Sequence, residues 1–184
     1  PVYFAKRVNR SVDPGGYVDG HFDVVKKLDY ECELAVIIGK EAKNVAEKDA
    51  LDYIFGYTIL NDVSARDLQT AHKQWYFGKS LDSFTPMGPC IVTADEFSFP
   101  PALKLTCKVN GELRQDSNTD QLVHSIAYII SELSHGITLK VGTVISTGTP
   151  GGVAMGMKEP KFLKHGDVVE CEIEGIGVLK NTIK

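Results

Sequence analysis

The plainest pattern in the chain is Tyr30-Glu31-Cys32-Glu33 running into the apolar stretch Leu34 to Ile38. A two-residue period sends successive side chains to opposite faces, so Tyr30 to Ile38 is predicted as a strand closed by Gly39. Ala46 to Phe55 carries Leu51, Ile54 and Phe55 at helical spacing, which predicts a helix stopped by Gly56. Tyr57 to Leu60 reads as a short strand that delivers Asn61-Asp62 at its end. Ser64-Ala65-Arg66-Asp67 fits a capping box, so a helix is predicted from Ala65 to Gln74.

Farther on, Leu103, Leu105, Cys107 and Val109 alternate with polar residues, and Asn110-Gly111 signals a type I′ hairpin returning through Glu112 to Gln115. Leu122, Ile126, Ile129, Ile130 and Leu133 mark an amphipathic helix ended by Gly136. Thr143 to Thr147, Val168 to Ile173 and Val178 to Ile183 are predicted strands. Residues 1–27 read as irregular, with a turn at Asp13-Pro14-Gly15. Many short strands and few helices predict a β-rich α+β fold, with 1–184 as a single domain.

Composition narrows the function classes. At 184 residues with 43% hydrophobic positions, the chain carries too much apolar surface for a disordered segment. A net charge of −4 has the wrong sign for a phosphate backbone, so nucleic acid is excluded as the expected partner. No apolar run approaches the ~18–20 residues of a membrane span, and a soluble protein is expected. Cys32, Cys90, Cys107 and Cys171 have neither CxxC nor Cys/His zinc spacing and are expected as free thiols in a reducing cytosol. The first residue is Pro1 with no leader ahead of it, and the chain is expected to continue upstream.

Candidate chemistry sits between the first strand and the first capped helix. Glu31 and Glu33 share a strand face that continues into Ala35 and Ile37. Such a pair often lies solvated at a strand end, and Asp62 by itself could serve as a helix cap. Brought together, the three would form an all-oxygen site suited to Mg²⁺, Mn²⁺ or Ca²⁺ rather than Zn²⁺. Arg66 and Gln69 are i and i+3 on the same helix, either a solvated face or a clamp for a carboxylate. Lys79 lies among Trp75, Tyr76 and Phe84, either snorkelling or buried as an electrophile. The loop Thr147-Gly148-Thr149-Pro150-Gly151-Gly152 lacks the GK[ST] ending of a phosphate loop, yet offers backbone N–H groups and a hydroxyl.

As a set, these segments resemble the fumarylacetoacetate hydrolase family. The matching stretches are Leu28 to Lys40, Gly56 to Gln69, Gly78-Lys79-Ser80-Leu81-Asp82, Gly88-Pro89 and Ser146 to Val153. The resemblance implies a mixed β-sandwich roll that dimerises with a second copy. It implies a divalent ion, most often Mg²⁺ or Mn²⁺, on Glu31, Glu33 and Asp62, with Arg66, Gln69, Lys79 and Thr149 lining a substrate site. Lys79 would be the catalytic cation, and the substrates would be small 2-oxo or acylpyruvate-type acids. The reactions implied are C–C bond hydrolysis or decarboxylation first, keto–enol isomerisation second, with a weakly active binding relative as the third reading. The family's lid, with its water-activating His–Glu pair, would precede Pro1. His21, His72, His124, His135 and His165 match none of the family's catalytic positions, and His72 is expected on the surface.

Overall fold

The structure, a computed structural model, describes residues 1–184. In chain order the strands are β1 (Tyr17–Val18), β2 (Leu28–Asp29), β3 (Cys32–Ile38), β4 (Ile54–Asn61), β5 (Ser64–Ala65) and β6 (Met87–Thr93). They continue with β7 (Lys104–Val109), β8 (Glu112–Asn118), β9 (Val144–Ser146), β10 (Val168–Ile173) and β11 (Gly177–Ile183). Three α-helices interleave, α1 (Arg66–Ala71), α2 (Tyr76–Lys79) and α3 (Ile126–Gly136). A five-stranded sheet runs β1-β11-β10-β7-β8, a four-stranded sheet β6-β4-β3-β9, and β2 pairs with β5.

The two larger sheets share one apolar core. Leu34, Val36 and Ile38 of β3 and Tyr57 and Ile59 of β4 join Leu105, Cys107, Val169, Cys171 and Leu179 from the other sheet. Alternation along β3 then sends Glu33, Ala35 and Ile37 to the opposite side. That side is covered as well, since all seven residues of β3 are buried. A strand buried on both faces reads as a continuous apolar run, which is why Leu34 to Ile38 stood out. The β-rich α+β roll expected from the sequence is the fold observed.

Several elements differ from the sequence expectation: β3 starts at Cys32 rather than Tyr30, and the short strand β1 lies within the segment expected to be irregular. The helix predicted over Ala46 to Phe55 is a 3-10 segment, Glu47–Tyr53, and Ile54 already belongs to β4, where it pairs with Ile38. Gly56 lies inside that strand and pairs with Thr93; a Cβ there would meet the Val92 carbonyl oxygen at 2.3 Å. It marks a close strand approach rather than a helix stop. The capping box does not form either. Ser64 sits in β5 and donates to the Asp62 carbonyl (2.8 Å), while the Asp67 carboxylate accepts from the Lys26 N–H (2.9 Å). Helix α1 ends at Ala71, three residues short of the expectation.

The hairpin and the long helix follow the pattern. Asn110 and Gly111 take φ of 51° and 79°, as a type I′ turn requires. Ser125 caps α3 by accepting the Tyr128 N–H (3.0 Å), so Leu122 falls ahead of the helix. The four cysteines are free; Cys107 and Cys171 face each other across β7 and β10 with sulfurs 4.0 Å apart. No helix is long and apolar enough to cross a membrane.

Candidate metal centre and cleft

Antiparallel pairing builds the site. Where β3 begins and β4 ends, the Asn61 side chain accepts the Glu31 N–H (2.9 Å) and the Asp62 N–H donates to the Glu31 carbonyl (2.8 Å). Those bonds set Asp62 beside Glu31, and alternation places Glu33 on the same side. Carboxylate oxygens of Glu31, Glu33 and Asp62 lie within 4.8 Å of one another, and all three residues are buried.

Three cations enclose the carboxylates. Lys79, at the end of α2, donates to Glu31 Oε2 (2.6 Å) and Asp62 Oδ2 (2.8 Å). Lys6 reaches in from the irregular N-terminal segment to Asp62 Oδ1 (2.6 Å) and the Lys79 carbonyl (2.5 Å). Arg66, at the start of α1, spreads its guanidinium over Asp29 (2.9 Å), Glu31 (2.6 Å) and the Gln69 side-chain oxygen (3.1 Å). Burial opposes charge on Asp62 and on Lys79, yet ion pairing wins: Lys6 and Lys79 hold the Asp62 carboxyl below its usual range, and Asp62 and Glu31 hold the Lys79 ammonium above its own. For Lys6 burial outweighs Asp62, and its pKa is lowered.

Glu33 stands apart. It makes no salt bridge, and its Oε2 accepts only the Ser146 hydroxyl (2.5 Å) and the Gly148 N–H (2.8 Å). Burial first, then the charges of Asp62 and Glu31, push its carboxyl up to about 8. An uncompensated buried carboxylate next to two others is a donor set a hard divalent cation fits: oxygen ligands only, high negative charge, no His or Cys.

A cleft of about 640 Å³ opens above this cluster. Glu31, Glu33, Arg66 and Lys79 with the Gln69 amide form its polar end, the loop Thr147–Gly151 one wall, and Tyr3, Phe4 and Trp75 part of its lining. Asp62 sits just behind, reached through Lys79. The structure therefore gathers all the residues singled out in the sequence, Glu31, Glu33, Asp62, Arg66, Gln69, Lys79 and Thr149, around one cleft. Two details differ. The aromatic beside Lys79 is Phe4, 5.3 Å from its ammonium, whereas Phe84 packs on His21. The Thr149 hydroxyl is already committed, donating to the Cys32 carbonyl (3.1 Å) and accepting from Gln115 (2.8 Å), so the wall's open donors are backbone N–H groups.

Four contributors escaped the sequence reading: Lys6, Asp29, Gln115 and Ser146. Asp29 is fully buried and accepts from Arg66 and from the Tyr30, Ala154 and Met155 N–H groups, tying the guanidinium to the far end of the glycine loop. Its place two residues before Glu31 was the available signal. His72 is exposed at the C-cap of α1, on the surface as expected.

Comparison with known proteins agrees. The family model for the fumarylacetoacetate (FAA) hydrolase C-terminal domain matches residues 1–184. The chain is 46% identical over 183 residues to oxaloacetate tautomerase YisK of Bacillus subtilis (strain 168), spanning all of this chain and 61% of that protein. It is 48% identical over 185 residues to the mitochondrial oxaloacetate tautomerase fahd2 of Xenopus laevis, spanning all of this chain and 58% of that one. Among solved structures, fumarylacetoacetate hydrolase EaFAH from psychrophilic Exiguobacterium antarcticum superposes with a TM-score of 0.92 at 48% identity, over 95% of this chain and 62% of its own. Fumarylpyruvate hydrolase from Pseudomonas aeruginosa, in complex with Mn²⁺ and pyruvate, gives 0.85 at 29% identity, over 95% and 73%. The chain thus spans about three-fifths of the length of the curated relatives named here. With its whole length matched and its fold shared, the chain belongs to the fumarylacetoacetate hydrolase family.

Proposed function

We propose that the protein is a divalent-metal-dependent keto–enol tautomerase or isomerase of a small 2-oxo acid. The observation that carries this is the buried triad Glu31, Glu33 and Asp62, with the two glutamates lining a cleft whose other charged side chains are Arg66 and Lys79 and Asp62 just behind. Mg²⁺ or Mn²⁺ held by the triad would act as a Lewis acid, polarising the 2-oxo carbonyl. Lys79 has three N–H groups and spends two on Glu31 and Asp62, which leaves one for an oxygen that gains charge as a C3 proton departs. Its ion pairs with Asp62 and Glu31 hold it as an ammonium in the metal-free site, which suits a hydrogen-bond donor. Arg66 retains two of its five N–H groups after Asp29, Glu31 and Gln69 are served, and these would hold a carboxylate. Gln69 keeps the guanidinium turned toward the cleft.

C–C bond hydrolysis or decarboxylation, placed first by the sequence, passes through the same enolate and ranks second here. Two relatives at 46% and 48% identity are named tautomerases, which favours the isomerising chemistry. The test is enol-to-ketone conversion of oxaloacetate, read by ultraviolet absorbance with Mg²⁺, Mn²⁺ or chelator. Metal-dependent acceleration without carbon–carbon cleavage is expected. Pyruvate release at a rate equal to or above tautomerisation would overturn the ranking.

A further inference from the structure

Gln115, on β8, is only 1% exposed, and its side-chain amide is fully engaged across three segments. Its Oε1 accepts the N–H of Cys32, the residue between the two glutamates of the triad (3.0 Å). Its Nε2 donates to the Thr149 hydroxyl (2.8 Å) and to the Pro150 carbonyl (2.9 Å). The loop is pressed onto β8 beside it: Gly152 has φ of +106°, and a Cβ there would lie 2.0 Å from the Arg114 carbonyl oxygen.

The Pro150 contact has a directional consequence. The Pro150–Gly151 peptide is trans, so its C=O and N–H point opposite ways. With the carbonyl drawn down to Gln115, the Gly151 N–H points up from β8. Gly151 lines the cleft, and its N–H has no partner in the protein.

We infer that Gln115 is a positioning residue that turns the Gly151 N–H into the cleft as a donor to a carboxylate oxygen of the bound oxo acid. The inference rests on the oxo-acid reading above. An unpaired N–H costs free energy when substrate binding buries it, unless an acceptor arrives, and a carboxylate supplies one. The amide of Gln115 fits this role better than a carboxylate or a hydroxyl, because it offers two donors to the loop and an acceptor to β3 from one planar group.

The probe is oxalate added to the ¹⁵N-labelled, Mg²⁺-loaded protein. In the wild type the Gly151 amide proton should move downfield as oxalate binds. Gln115→Glu keeps the acceptor for Cys32 and loses the donors to Thr149 and Pro150. It should hold Mg²⁺ with near-normal affinity, lose the Gly151 response and bind oxalate ~10-fold or more weakly, the scale of one lost hydrogen bond to a charged group. For a turned-over oxo acid, KM should rise more than kcat falls. Should the glutamate variant fail to fold, the wild-type Gly151 response still decides. Oxalate binding that leaves Gly151 unmoved, or an unchanged response in Gln115→Glu, overturns the inference and leaves the oxo-acid reading intact. Mg²⁺-loaded wild type that ignores oxalate overturns both.

Discussion

Glu33 concentrates the electrostatic cost of the site, because it is buried beside two other carboxylates and neutralised by none of the three cations. Its folded pKa of about 8 lies above the ordinary glutamate value of 4.5, so the folded chain keeps a proton that the unfolded chain gives up. Stability of the metal-free protein should fall as pH rises from about 4.5 to about 8 on this account. Glu33→Gln should remove that dependence, raise the metal-free Tm above neutral pH and abolish Mn²⁺ binding. Thermal denaturation across pH and calorimetric titration check each part, and unchanged Mn²⁺ affinity would exclude Glu33 as a ligand. Lys79→Met should keep the ion yet lower kcat ~10²-fold or more, the scale of one preorganised donor. Near-normal turnover would make Lys79 a structural cation. At this scale the sequence carried what local spacing can carry. Glu31 and Glu33 sit two apart and Arg66 and Gln69 three apart, so periodicity paired them. Lys6 stands 56 residues from Asp62 in a segment with no period, and only tertiary packing brings the two together.

Two segments without regular structure hold the site's shape. Residues 1–9 cross the cleft as a strap: the Tyr3 hydroxyl donates to Glu132 on α3 (2.5 Å), Phe4 stacks edge-on against Trp75, Lys6 reaches Asp62, and Asn9 donates to Asp82. Lys6→Met should loosen the strap while removing a cation that competes for Asp62. Faster limited proteolysis near the N-terminus with Mn²⁺ affinity maintained or raised is expected; unchanged proteolysis would show that the aromatic contacts hold the strap alone. The glycine loop is fixed by Glu33 and Gln115 at one end and by Asp29 at the other. Gly152→Ala should cost ~2–4 kcal/mol, because a side chain would require both a left-handed φ and the space held by the Arg114 carbonyl. A Tm within a degree of wild type would contradict that packing. Strands and the hairpin were legible because a buried face imposes a period. The capping box was not: pairing with β2 draws Ser64 into strand β5, so its hydroxyl is not placed to accept a helix N–H, a long-range event that a local motif does not register.

Across the whole molecule, the even-numbered side chains of β3 join the core shared by the two large sheets, while Glu33 on its opposite face belongs to the acidic triad. Core packing and one member of the candidate metal triad are therefore built on opposite faces of one strand. Saturating Mn²⁺ should raise stability through linkage, by ~2.7 kcal/mol at a hundredfold excess over Kd. The family and the fold could be read from the sequence because several ordered motifs agree. The reaction could not, since the resemblance implies hydrolysis, decarboxylation and keto–enol isomerisation alike for the motifs that this chain carries. The most direct measurement is deuterium exchange at the C3 methyl of pyruvate, followed by ¹H NMR in D₂O, because it reports enolisation whatever the natural substrate is. Expected is exchange that needs Mg²⁺ or Mn²⁺, stops with chelator, and is lost in Glu33→Gln while that variant remains folded. Exchange at the solvent rate with Mn²⁺ bound would contradict an enol-forming site on Glu31, Glu33 and Asp62.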